Sequence, residues 1–344
     1  MTRHPLLLAV LTSDTLGFLL LLGASITAFR ITLHWDPQDT GSRQLRLQAL
    51  SETAAAAIVW AFGLYVFTTV GLVYAITNIL PDLVPGAMCG TGVLQAMRSG
   101  GPRMLIYRFV ALSLFWTWWR LEKVNRALPE APLTSFNARC VLLLLPACAL
   151  ALHASWQALT AMEYQQPVDC CAIIYDQFHS LGDARRTMGV GNTAWVGAFG
   201  VLTLAMTAAA WAVWKGRRRR WLSLLLTCLA IGWLLVAAIA LVRSFAAYHY
   251  GVLHHYCPWC LFLPEHRLAG FPLWTAWLFV ALEVPAILVM STRVVSGLPA
   301  VAPVVEGESR KAARRVLLAI MIFVLLAVGP AVWWRLQFGM WLTG

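Results

Sequence analysis

The chain has 344 residues, of which 60% are hydrophobic and 12% charged, with a mean hydropathy of +0.70. That composition excludes a soluble globular enzyme and describes an all-α polytopic membrane protein whose solvent is mostly lipid. A net charge of +11 would point to nucleic acid in a soluble chain. Here most Lys and Arg stand in short segments between apolar runs, so the charge is read as membrane topology and no nucleic-acid partner is expected.

Apolar runs predict helices near 5–29, 53–77, 104–119, 140–162, 193–214, 221–247, 272–291 and 316–334, about eight transmembrane spans. The first run, with Ala24 and Ser25, has features of a secretory signal peptide. Its length of about 25 residues and its Ser13 and Asp14 favour a retained helix. Of the 26 Lys and Arg, 17 fall in the loops after the first, third, fifth and seventh helices, including Lys215 and the run Arg217–Arg220. This bias predicts those loops to be cytoplasmic and both chain ends to be outside, in a membrane such as the bacterial inner (plasma) membrane. The stretch 292–315, with Pro299, Pro303 and mixed charges, reads as a basic linker before the last helix.

The expected topology sorts the eight cysteines. Cys140, Cys148 and Cys228 fall in or at the inner ends of helices and read as small apolar packing residues. Cys89, Cys170, Cys171, Cys257 and Cys260 fall on the outer side, where disulfides persist. Five is odd, so at least one of these thiols is free, metal-bound or kept for a partner. Cys170 and Cys171 are neighbours, and a trans peptide holds their Cα atoms about 3.8 Å apart, below the usual disulfide minimum near 4.4 Å. Exchange with Cys257 or Cys89 is the more comfortable chemistry for them. The glycine-rich, apolar stretch Pro81–Gly101 is either an ordinary loop or a segment that folds back and carries Cys89 towards Cys257.

The most informative stretch is His254-His255-Tyr256-Cys257-Pro258-Trp259-Cys260. In one helical turn the two sulfurs would share a face, close enough for a disulfide or a shared metal. It follows a helix, an external loop with Cys170 and Cys171, a helix opening Gly191-Asn192-Thr193-Ala194-Trp195-Val196-Gly197, a basic inner loop and a further helix. In this order of parts, over about residues 140–291, the chain resembles the vitamin K epoxide reductase family. The resemblance implies a four-helix thiol-redox bundle that passes electrons from an extracytoplasmic thioredoxin-like partner to a quinone. Carried over by position, Cys257 would exchange with Cys170 or Cys171, and Cys260 would face the quinone. Arg243, near the outer end of its helix, is then the candidate cation beside the thiolate and quinone, and His153 a candidate proton donor. The domains expected on this basis are a three-helix region 1–139, the bundle 140–291, and the linker with the last helix 292–344. The chain departs from the family where Cys170 and Cys171 adjoin and where Pro264-Glu265-His266-Arg267 precedes the next helix.

A second expectation rests on the histidines. His254, His255, Cys257, Cys260 and His266 lie within thirteen residues and offer imidazole and thiolate ligands suited to zinc or copper. On this reading the protein binds or handles a metal. A Cys-X-X-Cys-His haem attachment is excluded because Leu261 follows Cys260. Asp14, Arg108, His153 and Glu283 are ionisable groups inside predicted spans and are expected to face partners or a cavity.

Overall fold

A computed structural model describes residues 4–36, 39, 41–168, 192–216, 220–252, 255–292, 295 and 297–342. The described residues are helical, with no strand. The helices are α1 (Pro5–His34), α2 (Ser42–Asn78), α3 (Gly90–Ala96), α4 (Gly100–Arg126), α5 (Thr134–Thr160), α6 (Asn192–Trp214), α7 (Arg220–Ala240), α8 (Gly270–Met290) and α9 (Ala302–Phe338). From α7 the chain runs through a π-turn at Leu241–Phe245 into the last turns, Ala246–Tyr250. Among the described residues seven helices are long and apolar enough to cross a membrane, and the chain is an integral membrane protein.

The third expected span, 104–119, lies in α4, a long helix of a different kind. It carries Arg103, Arg108, Arg120, Glu122, Lys123 and Arg126 along its length. Its two fully buried cations are neutralised within the protein, Arg108 by Asp14 and Arg120 by Glu308 at 2.8 Å. A second difference lies at the chain's end. The stretch read as a linker is helical from Ala302, because Pro303 stands in the first turn, where its missing N–H costs no hydrogen bond.

The chain divides into two compact units, 1–75 with 97–163 and 289–308, and 76–96 with 164–288 and 309–344. In the first unit α5 packs against α1 and α4. The buried side of α1 (Leu7, Val10, Leu11, Asp14, Gly17, Leu21, Ala24, Ser25, Ala28, Ile31) follows three- and four-residue spacing. The buried stripe of α5 includes Ala151, Ala154, Ser155 and Ala158 towards its end, small residues that admit a close neighbour. A Cβ added to Gly100 of α4 would stand 3.3 Å from the Ala158 Cα. Lipid gives helices no hydrophobic reason to associate, so such close van der Waals contact and buried polar bonds must hold them. The polar bonds centre on Arg108, which pairs with Asp14, donates to Thr68, Thr69 and Ser155 at 3.0, 3.3 and 3.2 Å, and lies 4.8 Å over the Tyr65 ring.

In the second unit α6 packs against α7. The Trp233 indole donates to Thr203 at 2.9 Å and its ring stands 5.3 Å from Phe323. Glu283 of α8 pairs with Arg315 of α9, so two of the intramembrane carboxylates expected to face partners, Asp14 and Glu283, do so.

Candidate functional site

The second unit contains the site. Gly251, at φ 66°, ends the long helix in the left-handed conformation that a side chain would strain. The chain then passes Cys257, turns at Pro258 and Trp259, and forms short 3-10 turns at Cys260–Phe262 and Pro264–His266. The two cysteines thus sit on a turn and a 3-10 start in place of one helical turn.

The Pro81–Gly101 stretch folds back onto this turn. Pro81–Leu83 makes a 3-10 turn, Gly86 takes a φ of 78°, and Cys89 precedes the first turn of α3. Cys89 Sγ lies 3.3 Å from Cys257 Sγ, and Thr91 Oγ1 lies 3.1 Å from the same sulfur. All three sulfurs, of Cys89, Cys257 and Cys260, fall within 4.8 Å of one another. Their residues are 0%, 1% and 6% exposed, under Tyr250, Trp259 and Leu263. Tyr250 holds the turn, its hydroxyl donating to the Cys257 carbonyl and its ring lying between His255 and His266, each at 4.6 Å.

Gly90 explains how two segments so distant in sequence come this close. A Cβ there would stand 2.8 Å from the Trp259 ring and 3.1 Å from Ile76. Gly90→Ala is therefore expected to push Trp259 off the α3 start and to cost about 1–3 kcal/mol. A lowered thermal midpoint, with a reduced yield of the Cys89–Cys257 bond under mild oxidant, is the measurement. An unchanged yield would mean that the indole contact does not set the sulfur spacing.

Electrostatics distinguishes the three thiols. Cys257 is held well below the usual thiol range by the Cys260 thiol, followed by the Cys89 thiol, and with a further contribution from the Thr91 hydroxyl, which together outweigh burial. Cys260, the donor beside that thiolate, is pushed upward for the same reason, and Cys89 and burial add to it. Cys257 is thus the thiolate and Cys260 the thiol that keeps its proton. Burial lowers His255 and His266, keeping both imidazoles neutral around Tyr250.

The other expected residues fall as follows. Cys170, Cys171 and His254 lie outside the described residues. The described chain leads towards the two cysteines at Val168, whose N–H donates to the Pro85 carbonyl at 2.9 Å. Arg243 sits in the π-turn, its guanidinium 5.7 Å over the ring of Tyr256, the residue before Cys257. His153 belongs to the first unit and is exposed on α5. His255 and His266 contact Tyr250 and are not part of the sulfur group. Among the described residues, the third potential metal ligand is Cys89, where the sequence pointed to histidine. Comparison with models of known protein families, with curated proteins and with solved structures finds no match.

Proposed function

We propose that this chain is a membrane thiol–disulfide oxidoreductase in which Cys257 exchanges bonding partners between Cys89 and Cys260. The observation that carries the reading is the position of the Cys257 sulfur, 3.3 Å from one buried thiol and within 4.8 Å of a second. A disulfide is made by attack of a thiolate on sulfur, so a low-pKa thiol beside two alternative partners suits both forming and passing on such a bond. In a Cys89–Cys257 disulfide Cys257 is no longer a thiolate; attack of the Cys260 sulfur on that of Cys257 then forms Cys257–Cys260 and breaks Cys89–Cys257, with the Cys260 proton passing to the departing Cys89 sulfur. No electrons are gained or lost in that step.

Net oxidation of two of these thiols to a disulfide releases two electrons and two protons. A membrane quinone is the acceptor class that takes both, becoming a quinol. On this proposal an extracytoplasmic thioredoxin-like protein supplies the electrons, and the cysteine turns face outward. Arg243, held beside Tyr256, would favour negative charge near the turn.

One observation favours a second reading. Three buried thiols within 4.8 Å also form a soft, nearly closed donor set for zinc or copper. The two readings separate on protein purified without reductant, by metal analysis and by alkylation with peptide mapping. The oxidoreductase is expected to carry no stoichiometric metal and to show Cys257 in a reducible bond with Cys89 or Cys260. Stoichiometric zinc or copper with all three thiols reduced, and thiols unmasked by chelator, would replace it with a metal site.

A further inference from the structure

Two neighbouring helices of the second unit share a cationic end. α6 and α9 pack together, with the Phe199 and Phe323 ring centroids 6.1 Å apart. They meet again at Gly216, just past the end of α6, where a Cβ would collide with the Arg310 guanidinium. Beside that contact Lys215 is exposed, its Nζ 5.2 and 5.0 Å over the Trp211 and Trp214 rings. On α9, Lys311, Arg314, Leu318, Met321 and Leu325 follow alternating three- and four-residue spacing, so they share one face, and all are exposed. Arg310, one turn before Arg314, borders that face and is exposed as well.

The α9 face changes character along its length, cationic as far as Arg314 and apolar from Leu318. Residues 316–334 carry no charge and span about 28 Å of helix, close to the thickness of a hydrocarbon core, so the cations before them stand at headgroup depth. α6 shows the same order, since Val201, Leu204 and Trp211 are exposed and lead to Lys215. Tryptophan at that depth is an interfacial anchor. Neighbouring carboxylates do not cancel the group. Glu283 pairs with Arg315, Glu308 pairs with Arg120, and Glu306 lies one turn before Arg310, which leaves Lys215, Arg310, Lys311 and Arg314 net positive.

We infer that the α6–α9 face binds an anionic phospholipid, its headgroup phosphate held by Arg310, Lys311, Arg314 and Lys215 and its acyl chains lying along the apolar stripes of the two helices. Charge complementarity selects the head, because each Lys or Arg near a bilayer surface strengthens attraction to anionic lipid about fivefold. Arginine adds paired N–H donors that suit phosphate oxygens. The stripes select an amphiphile over a soluble phosphate, since they continue from the cations into the hydrocarbon depth.

The test is native mass spectrometry of the full chain in maltoside micelles, titrated with phosphatidylglycerol, with phosphatidylcholine of the same acyl chains, or with glycerol 3-phosphate. The first phosphatidylglycerol is expected to be retained at concentrations where neither of the others is. Arg310→Gln/Lys311→Gln/Arg314→Gln should weaken that retention about tenfold or more. Arg30→Gln/Arg43→Gln/Arg46→Gln, the same loss of charge at exposed positions of the first unit, should leave it unchanged. Lys215→Gln should weaken it about threefold, and as a single exposed substitution it keeps the test decisive if the triple variant does not fold. Equal retention of phosphatidylcholine shows a face without headgroup preference, binding of glycerol 3-phosphate shows a site for a soluble anion, and equal losses in the two triple variants show general surface charge. Each of these, or full retention in both the Lys215 variant and a folded α9 variant, overturns the inference.

Discussion

Cys260→Ser is expected to trap Cys257 in a reducible bond to Cys89, because the serine cannot attack and resolve it, while Cys257→Ser leaves no bond between the remaining two thiols. Under the proposed function, Cys257→Ser should also lower thiol-dependent quinone reduction on the order of 10³-fold, as expected when a nucleophile is removed. The arithmetic follows from the geometry. Cys89 lies 3.3 Å from Cys257, so it captures that sulfur whenever Cys260 is absent. Peptide mapping distinguishes Cys89 from Cys170 or Cys171 as the trapped partner, and a link to either of the latter would show that the external loop feeds the turn. No link at all in Cys260→Ser would leave the thiols as ligands or packing groups.

The same thiol makes a prediction about pH. Because the Cys257 value is depressed, its thiolate persists below the ordinary value of 9.0. The associated stability is fully present above that value and is lost as pH falls through the depressed one. The ultraviolet absorbance of one thiolate should therefore survive below neutral pH, disappear in Cys257→Ser, and titrate at higher pH in Thr91→Val, which removes one donor. Absorbance that fades near pH 9 in the parent protein would contradict the assignment of Cys257 as the thiolate.

Arg108→Leu is expected to destabilise the protein by about 3–5 kcal/mol, and Asp14→Leu by a similar amount, since each strands its partner's charge inside the helix bundle. Both side chains are only 2% exposed, and Arg108 also holds Thr68, Thr69 and Ser155, so no water stands ready to take over. The double variant should recover most of the loss, because replacing a buried ion pair by apolar groups of similar size is often near neutral. Reversible unfolding of the four proteins in a thermodynamic cycle measures the coupling. Single-variant losses below about 1 kcal/mol would show that the pair is solvated, in conflict with its burial.

The predictions on the thiols and on the ion pair draw on features the sequence showed to different degrees. Asp14 and Arg108 were recognisable as costly charges in apolar runs, and that each needed a partner followed from the cost alone. Their pairing with each other, across 94 positions, did not. Helix class and the approximate spans were likewise readable, because crossing a bilayer demands long apolar runs whose backbone bonds close within the helix. The ends were less so. α2 begins at Ser42 and α9 at Ala302, well before the apolar runs, since a helix continues through polar residues until something breaks it.

For the site, Cys257 and Cys260 were legible because three-residue spacing is local information. Cys89 was visible only as a thiol on a stretch that read either as a loop or as a segment folding back, and nothing local specified its partner. What sequence alone determined is the set of chemical groups and the lipid setting, which depend on composition and on neighbours along the chain. What the tertiary structure decided is the third member. Gly90, lacking a Cβ, lets Trp259 lie against the start of α3, and only that approach sets Cys89 and Thr91 on the Cys257 sulfur while His255 and His266 are taken up by Tyr250. A contact between residues 168 positions apart arises from packing, and no periodicity along the chain encodes it.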